Sequence, residues 1–481
     1  AADQYSFCVA LHEALWGVRP FEEPDPAAAA PPATRAVPRR LLEIVRRGLA
    51  ADPHQRWPDM QALLHALLVD PGVRRRRLGL SAAGLVVVAT SAWLAGSTAR
   101  PEPCTGVEAA MEGTWDAERR DEVAAALQHT GSPLAPAALG PVTAGLDAWA
   151  AEWGTQRRSA CEATRVHGEQ SEARMDERMD CLDRVRIEGA AIVDVLRSAD
   201  REVVVRAPTL VERLPDPSMC SDPEVLDDVD PVPRERRAVY DPLYARLAEI
   251  RALLEAGRVE PASAIVEQLV TEAEAEGFAG LAARAMAARS QIRLERGQQD
   301  DAASDASSAI HHALRAHDDE LLALASLRLA RALGRTSSAT DEALRWLDVC
   351  VTAAGHRERG PVRDAVIASV RVQILLYGDR PAEAERAARD ALATLPEDDW
   401  ARFTILSLLG SAEQQLSRYD EAMATHREAI AFAERGGRAE HPGITAALLN
   451  LALALQSAGR SAESLPLVER ALAIRVAAYG A

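Results

Sequence analysis

The stretch that most limits what this chain can fold into is residues 78–99, LGLSAAGLVVVATSAWLAGSTA, where no charged side chain appears and Leu, Val and Ala dominate. As a helix rising 1.5 Å per residue it reaches about 33 Å, against a bilayer hydrocarbon core of about 30 Å, so a transmembrane helix is expected here. Arg74, Arg75, Arg76 and Arg77 stand immediately before it. Four adjacent guanidiniums are costly to translocate and are attracted to an anionic inner leaflet. The expectation is a single-pass protein of the cell (inner) membrane, with its amino-terminal side cytoplasmic and everything after residue 99 outside.

Charge follows the same division. Residues 1–77 hold 11 Arg against 9 Asp and Glu, whereas residues 78–481 hold 44 Arg against 63. An acidic outer part with no basic stripe gives no electrostatic footprint for nucleic acid. None of the 55 basic residues is Lys, which excludes within this chain a Schiff base, a phosphate-loop lysine and the nucleotide-anchoring lysine of a phosphotransferase. Hydrophobic residues make up 48% but aromatic ones only 4%, and the bias to Ala and Leu points to an all-α fold of closely packed helices.

Residues 3–21, DQYSFCVALHEALWGVRPF, carry apolar side chains on a helical pattern, with Gly17 placed to end it. The run resembles the D-x-[WY]-S-x-G…L-x-E-x-L-x-G-x-x-P-F segment in the C-lobe of eukaryotic-type Ser/Thr protein kinases. Asp3, Tyr5, Ser6, Leu11, Glu13, Leu15, Gly17, Pro20 and Phe21 match, while Cys8 stands where that family often has Gly. Beyond the Pro/Ala-rich stretch 22–37 and an amphipathic helix over 41–49, the run Asp52, Pro53, His54, Gln55, Arg56, Trp57, Pro58 resembles the D-P-x-x-R-[WP]-x that closes the lobe, and 60–68 reads as its last helix. The resemblance implies that Asp3 holds the backbone of the catalytic loop and that Arg56 pairs with a glutamate after the activation loop. For a complete parent kinase it implies ATP, Mg²⁺ and transfer to Ser/Thr hydroxyls. No Gly-rich loop, H-R-D or D-F-G is present, so this chain offers no catalytic residue and binds no cofactor by itself. It is expected to be the carboxyl-terminal part of a bacterial membrane kinase. The alternative is a non-enzymatic membrane-anchored scaffold with a degenerate kinase-like segment.

Outside the membrane, Cys104, Cys161, Cys181 and Cys220 are candidate disulfide partners in an oxidising compartment. Residues 139–165 and 172–196 are helical patterns, and Cys161 and Cys181 lie ten residues either side of Ser171. A hairpin turning there would pair them, leaving Cys104 with Cys220; free thiols packed as small apolar residues are the alternative. Trp149 and Trp153, spaced i, i+4, read as core. The seven prolines between 208 and 242 predict an extended linker.

After residue 239 helix–turn–helix units recur every 38–42 residues, with turns at Gly257, Gly297, Gly378, Ser417 and Gly459. Small residues seven apart occupy the second helices at Ala302/Ala309, Ala343/Cys350, Ala384/Ala391, Ala422/Ala429 and Ser464/Ala471. Each such pair lies on one face and lets a neighbouring helix approach. These units resemble tetratricopeptide repeats (TPRs), most clearly in Leu409, Gly410, Tyr419, Ala422 and Ala429. The resemblance implies an α-solenoid that binds a protein or peptide. Polar first-helix positions Arg328, Gln373, Gln414 and Asn450 are the candidate peptide-binding residues, and Asn450→Ala is expected to weaken binding without unfolding the array. His311, His312 and His317 point to different helix faces, so no metal site is expected. The expected order is 1–70 end of a kinase C-lobe, 71–77 basic juxtamembrane segment, 78–99 transmembrane helix, 100–206 extracytoplasmic helical segment, 207–239 linker and 240–481 about six TPR-like pairs. A dimer is a possible assembly.

Overall fold

The computed structural model describes residues 2–20, 37–69, 104–106, 108–227, 232–355, 361–397 and 399–480. Every regular element among them is helical. The expected transmembrane run 78–99 and Arg74 to Arg77 lie outside the described residues. No helix among those described is long and apolar enough to cross a membrane. The chain divides into two compact units, Ala1–Glu102 and Pro103–Ala481.

The first unit holds α1 (Ala2–Trp16), α2 (Arg39–Gly48) and α3 (Met60–Leu68) around Cys8, Trp16, Ile44, Val45 and Leu63. Gly48 is where α2 crosses α1: a Cβ there would fall 2.2 Å from the Cys8 Sγ, so only Gly allows the approach. Burial pushes the Cys8 thiol up in pKa, as an inert core residue. Asp59 caps α3 by accepting from the Ala62 N–H at 2.6 Å. Gln4 on α1 donates to the carbonyls of Trp57 and Asp59, both at 3.2 Å. Trp57 Nε1 donates to the Ile44 carbonyl at 3.2 Å, and the Arg56 guanidinium lies 4.6 Å over the Tyr5 ring. Residues 3–21 and 52–58 therefore close on one another in a single small core.

The second unit begins with α4 (Ala117–His129), α5 (Ala135–Arg165), α6 (Glu172–Arg197) and α7 (Arg201–Glu212). Trp149 and Trp153 are both core, and each indole finds an acceptor: Pro215 O at 3.1 Å and Leu182 O at 2.7 Å. Gly189 of α6 faces Trp149 so closely that a Cβ would meet the ring at 2.2 Å.

Two expectations fail here. All four outer cysteines form disulfides, but as Cys104–Cys161 and Cys181–Cys220, not Cys161–Cys181. The reason is axial register. Cys161 lies four residues before the end of α5 and Cys181 nine after the start of α6, an offset of about 7 Å at 1.5 Å per residue. The Trp153–Leu182 bond shows that α6 near Cys181 lies opposite a more distant turn of α5. The segment 207–239 is likewise no extended linker. Helix α7 runs through Pro208, a 3₁₀ turn spans Pro217–Ser221, α8 (Pro223–Asp227) follows, and α9 (Arg234–Glu255) runs through Pro242. Asp216 caps the turn whose first residue is Pro217, where a missing N–H costs nothing, and buried Cys220 is tied to α6. One apolar core accordingly continues from Met111 to Leu329 without a border.

From α9 onward helices alternate in antiparallel pairs: α9 with α10 (Val259–Ala275), α11 (Ala279–Glu295) with α12 (Gln299–Arg315), and α13 (Asp319–Leu333) with α14 (Thr340–Ala354). They continue with α15 (Pro361–Tyr377) and α16 (Pro381–Thr394), α17 (Ala401–Gln415) and α18 (Tyr419–Arg435), and α19 (Thr445–Ser457) and α20 (Ser461–Tyr479). The small residues spaced seven apart are buried, save half-buried Ala391. Cys350 among them is a free buried thiol with its pKa pushed up to about 11 by burial.

Within each pair the turn is a left-handed cap in which two amides fold back on the first helix. At the fifth pair, Arg418 N donates to Glu413 O at 3.0 Å and Ser417 N to Gln414 O at 2.9 Å. Gly257, Gly297 and Gly459 take the positive φ in their turns, but Asp379 and Ser417 do so with a side chain. Ser417→Gly should therefore raise stability by about 1 kcal/mol, read as a higher urea midpoint at unchanged slope.

Candidate peptide-binding face

Consecutive first helices touch one another along the array, from α9 to α11 through α17 to α19, whereas consecutive second helices share no comparable contact. The array is thus bent with its first helices on the inner side, the geometry that gives a solenoid its concave face.

Helix α15 shows which side chains this face receives. Ala365, Val372 and Leu375 pack towards α16 and α17, and Val370 and Ile374 towards Ala330 of α13 and Leu347 of α14. Of the two remaining faces, Asp364 and Arg371 border an outer cleft of about 380 Å³ shared with Val351 of α14 and Asp390 of α16. Gln373 lies roughly 160° around the helix from Arg371, with exposed Val366 and Tyr377, on the inner side.

Arg328 of α13 sits deep in the same concavity. A strip of it meets solvent, but surrounding protein and then Arg331 hold its pKa down at about 10, against 12.5 for a free guanidinium. Its buried Nε has no hydrogen-bond partner, and no ion pair engages it among the described residues. Arg331, one turn on, is lowered for the same reason, burial first and then Arg335. Other arginines of the array are answered. Arg289 meets Asp305 at 2.7 Å and Glu267 at 2.7 Å, and Arg251 meets Glu188 at 3.1 Å while Tyr244 donates to the same carboxylate. Glu188 and burial together push the Tyr244 phenol well above its usual pKa.

The four residues singled out in the sequence lie one on each of α13, α15, α17 and α19. All are half-buried, and Gln373, Gln414 and Asn450 make no side-chain hydrogen bond among the described residues. Asn450 lies beside exposed Leu449 and Leu453. The array brings these positions onto successive first helices and clusters none of them with another. Sequence reading missed Arg331, which the i, i+3 spacing from Arg328 would have supplied. In the first unit, Asp3 stands exposed in the opening turn of α1. Arg56 is occupied by the Ala50 carbonyl, to which its Nε donates at 2.7 Å.

This architecture defines an α-helical solenoid of paired helices. Within it, the tetratricopeptide repeat family profile matches residues 402–475, which cover α17 to α20. A search of curated proteins finds no match to the chain.

Proposed function

We propose that the solenoid is a protein-interaction module that binds an extended acidic peptide along its first helices, as the outer part of a membrane-anchored Ser/Thr protein kinase. The observation that carries the binding reading is Arg328. A guanidinium that loses solvent and gains no carboxylate in its own chain is left with unmet hydrogen-bonding capacity, and a ligand carboxylate satisfies it bidentately. TPR repeats generally mediate protein–protein contacts, in keeping with this use.

The kinase reading is supported by the two matched segments, 3–21 and 52–58, sharing a core in the first unit. ATP, Mg²⁺ and the hydroxyl-bearing substrate belong, on that reading, to motifs this chain does not contain. Membrane anchoring rests on residues 78–99 and the arginines before them, and the two disulfides agree with an oxidising compartment for the second unit. On this account an impermeant protease added to spheroplasts cleaves within 104–480 and spares 2–69. The reverse pattern would overturn the topology.

The peptide reading is tested by titrating the full chain with acidic peptides and their Glu→Gln, Asp→Asn counterparts. Arg328→Met should weaken the acidic set about tenfold or more, as expected for a lost charge-assisted bond of about 1.5–3 kcal/mol, and leave the neutral set unchanged. Thermal stability should hold or rise, because a desolvated charge is removed. Equal affinity for both sets in the parent chain would overturn it.

A further inference from the structure

Helix α20 is apolar on two sides. Ser464, Ala471, Ile474 and Ala478 are buried against the array. On another face Leu465, Val468, Leu472, Val476 and Tyr479 form an exposed stripe along the whole helix. Preceding second helices have that face covered by the next first helix. In α18 the positions 42 residues earlier, Met423, His426 and Ile430, are 1%, 0% and 7% exposed under α19, whereas Leu465, Val468 and Leu472 are 59%, 37% and 62% exposed. Nothing among the described residues fills the equivalent place over α20.

The stripe is symmetric about Leu472. Counting outward, Val468 and Val476 are four residues either side and Leu465 and Tyr479 seven. Glu469 and Arg475 are three either side, with opposite charge. At 100° per residue all of them lie within about 60° of Leu472. Glu469 has no ion pair in its own chain among the described residues. Arg475 lies 5.8 Å from the Tyr479 ring centroid, with no carboxylate. The other charges near this helix are already used, Arg470 by Glu434 at 2.7 Å and Glu463 by Arg460 at 2.7 Å.

We propose that α20 docks antiparallel on α20 of a second copy of this chain, across a two-fold axis passing Leu472. Leu472 then meets its own mate, Val468 meets Val476, Leu465 meets Tyr479, and each Glu469 faces an Arg475. A two-fold interface must be self-complementary in this way, and the sequence of one helix face already is. The surface lies on the opposite end of the array from Arg328 and stands independently of the peptide reading.

The test uses the full chain with Leu472→Cys under mild oxidation. The thiol should cross-link to itself and give a species of doubled mass, with the unmutated chain, whose two free cysteines are buried, as background. Leu465→Cys and Tyr479→Cys should each give little product alone and a dimer when mixed. In sedimentation, Glu469→Arg should raise the dimer dissociation constant at least tenfold, and the double exchange Glu469→Arg/Arg475→Glu should bring it back to within about threefold of the parent. Both side chains are exposed, so the fold should tolerate either change. A monomeric parent chain at tens of micromolar, self-cross-linking by Leu465→Cys alone, or no rescue by the double exchange would each overturn the proposal. In the first case the stripe belongs to some other helix.

Discussion

Replacing Cys181 and Cys220 together by Ser should lower the stability of the second unit by about 4 kcal/mol, and the same holds for Cys104 and Cys161. The bridges close loops of 39 and 57 residues, for which the loss of unfolded-chain entropy comes to about 4 kcal/mol each. The Cys181–Cys220 bridge does more than close a loop, because it fastens the 3₁₀ turn Pro217–Ser221 to α6, and that turn follows Pro215, whose carbonyl receives the Trp149 indole. Its loss should therefore also quench or shift tryptophan emission before global unfolding, while the Cys104–Cys161 variant should not. Peptide mapping under non-reducing conditions checks the premise. A Cys161–Cys181 peptide would contradict the register described for α5 and α6.

Acid should destabilise the fifth pair through one residue. His426 of α18 is fully buried over Gly410 of α17, where a Cβ would lie 2.5 Å from the imidazole Cε1, and neither ring nitrogen has a hydrogen-bond partner. Burial pushes its pKa down to about 4, against about 6.5 for an unfolded histidine. The folded value is depressed, so between these two pH values the unfolded chain binds the extra proton. Stability is then full above about pH 6.5 and falls as pH drops towards 4, by about 3 kcal/mol in all. His426→Phe, which keeps a ring over Gly410 and removes the two orphaned nitrogens, should be more stable than the parent at pH 7. It should also lose the part of the acid sensitivity that falls in this window. Melting curves of parent and variant at pH 7 and pH 5 give the comparison; identical pH slopes would show that His426 takes up its proton without cost.

Helix type and pairing were legible because a 3.6-residue apolar period and left-handed turns at Gly257, Gly297 and Gly459 are local properties, set by residues a few positions apart. What escaped depends on three-dimensional register. Sequence symmetry about Ser171 made Cys161 and Cys181 look opposed, but the hairpin loop joins α5 and α6 off that centre, and a few residues of helix rise are enough to exchange partners. Prolines misled for a related reason. Pro208 and Pro242 sit inside helices that the surrounding core holds in place, so burial of Leu210, Leu243 and Tyr244 overrides a local preference. At the candidate site, Arg328 was legible as a polar residue on an apolar first helix. That its guanidinium has no carboxylate within the chain, and that Arg331 shares the concavity, follows only from the packing of α9, α11 and α13.

The central claim is that ligands lie along the first helices. It is tested most directly by photo-cross-linking an acidic peptide carrying benzoylphenylalanine to the full chain and mapping the adducts by mass spectrometry. The account predicts adducts on 279–295, 319–333 and 361–377, lost in Arg328→Met. Adducts confined to the second helices, 299–315, 340–354 and 381–394, would contradict it.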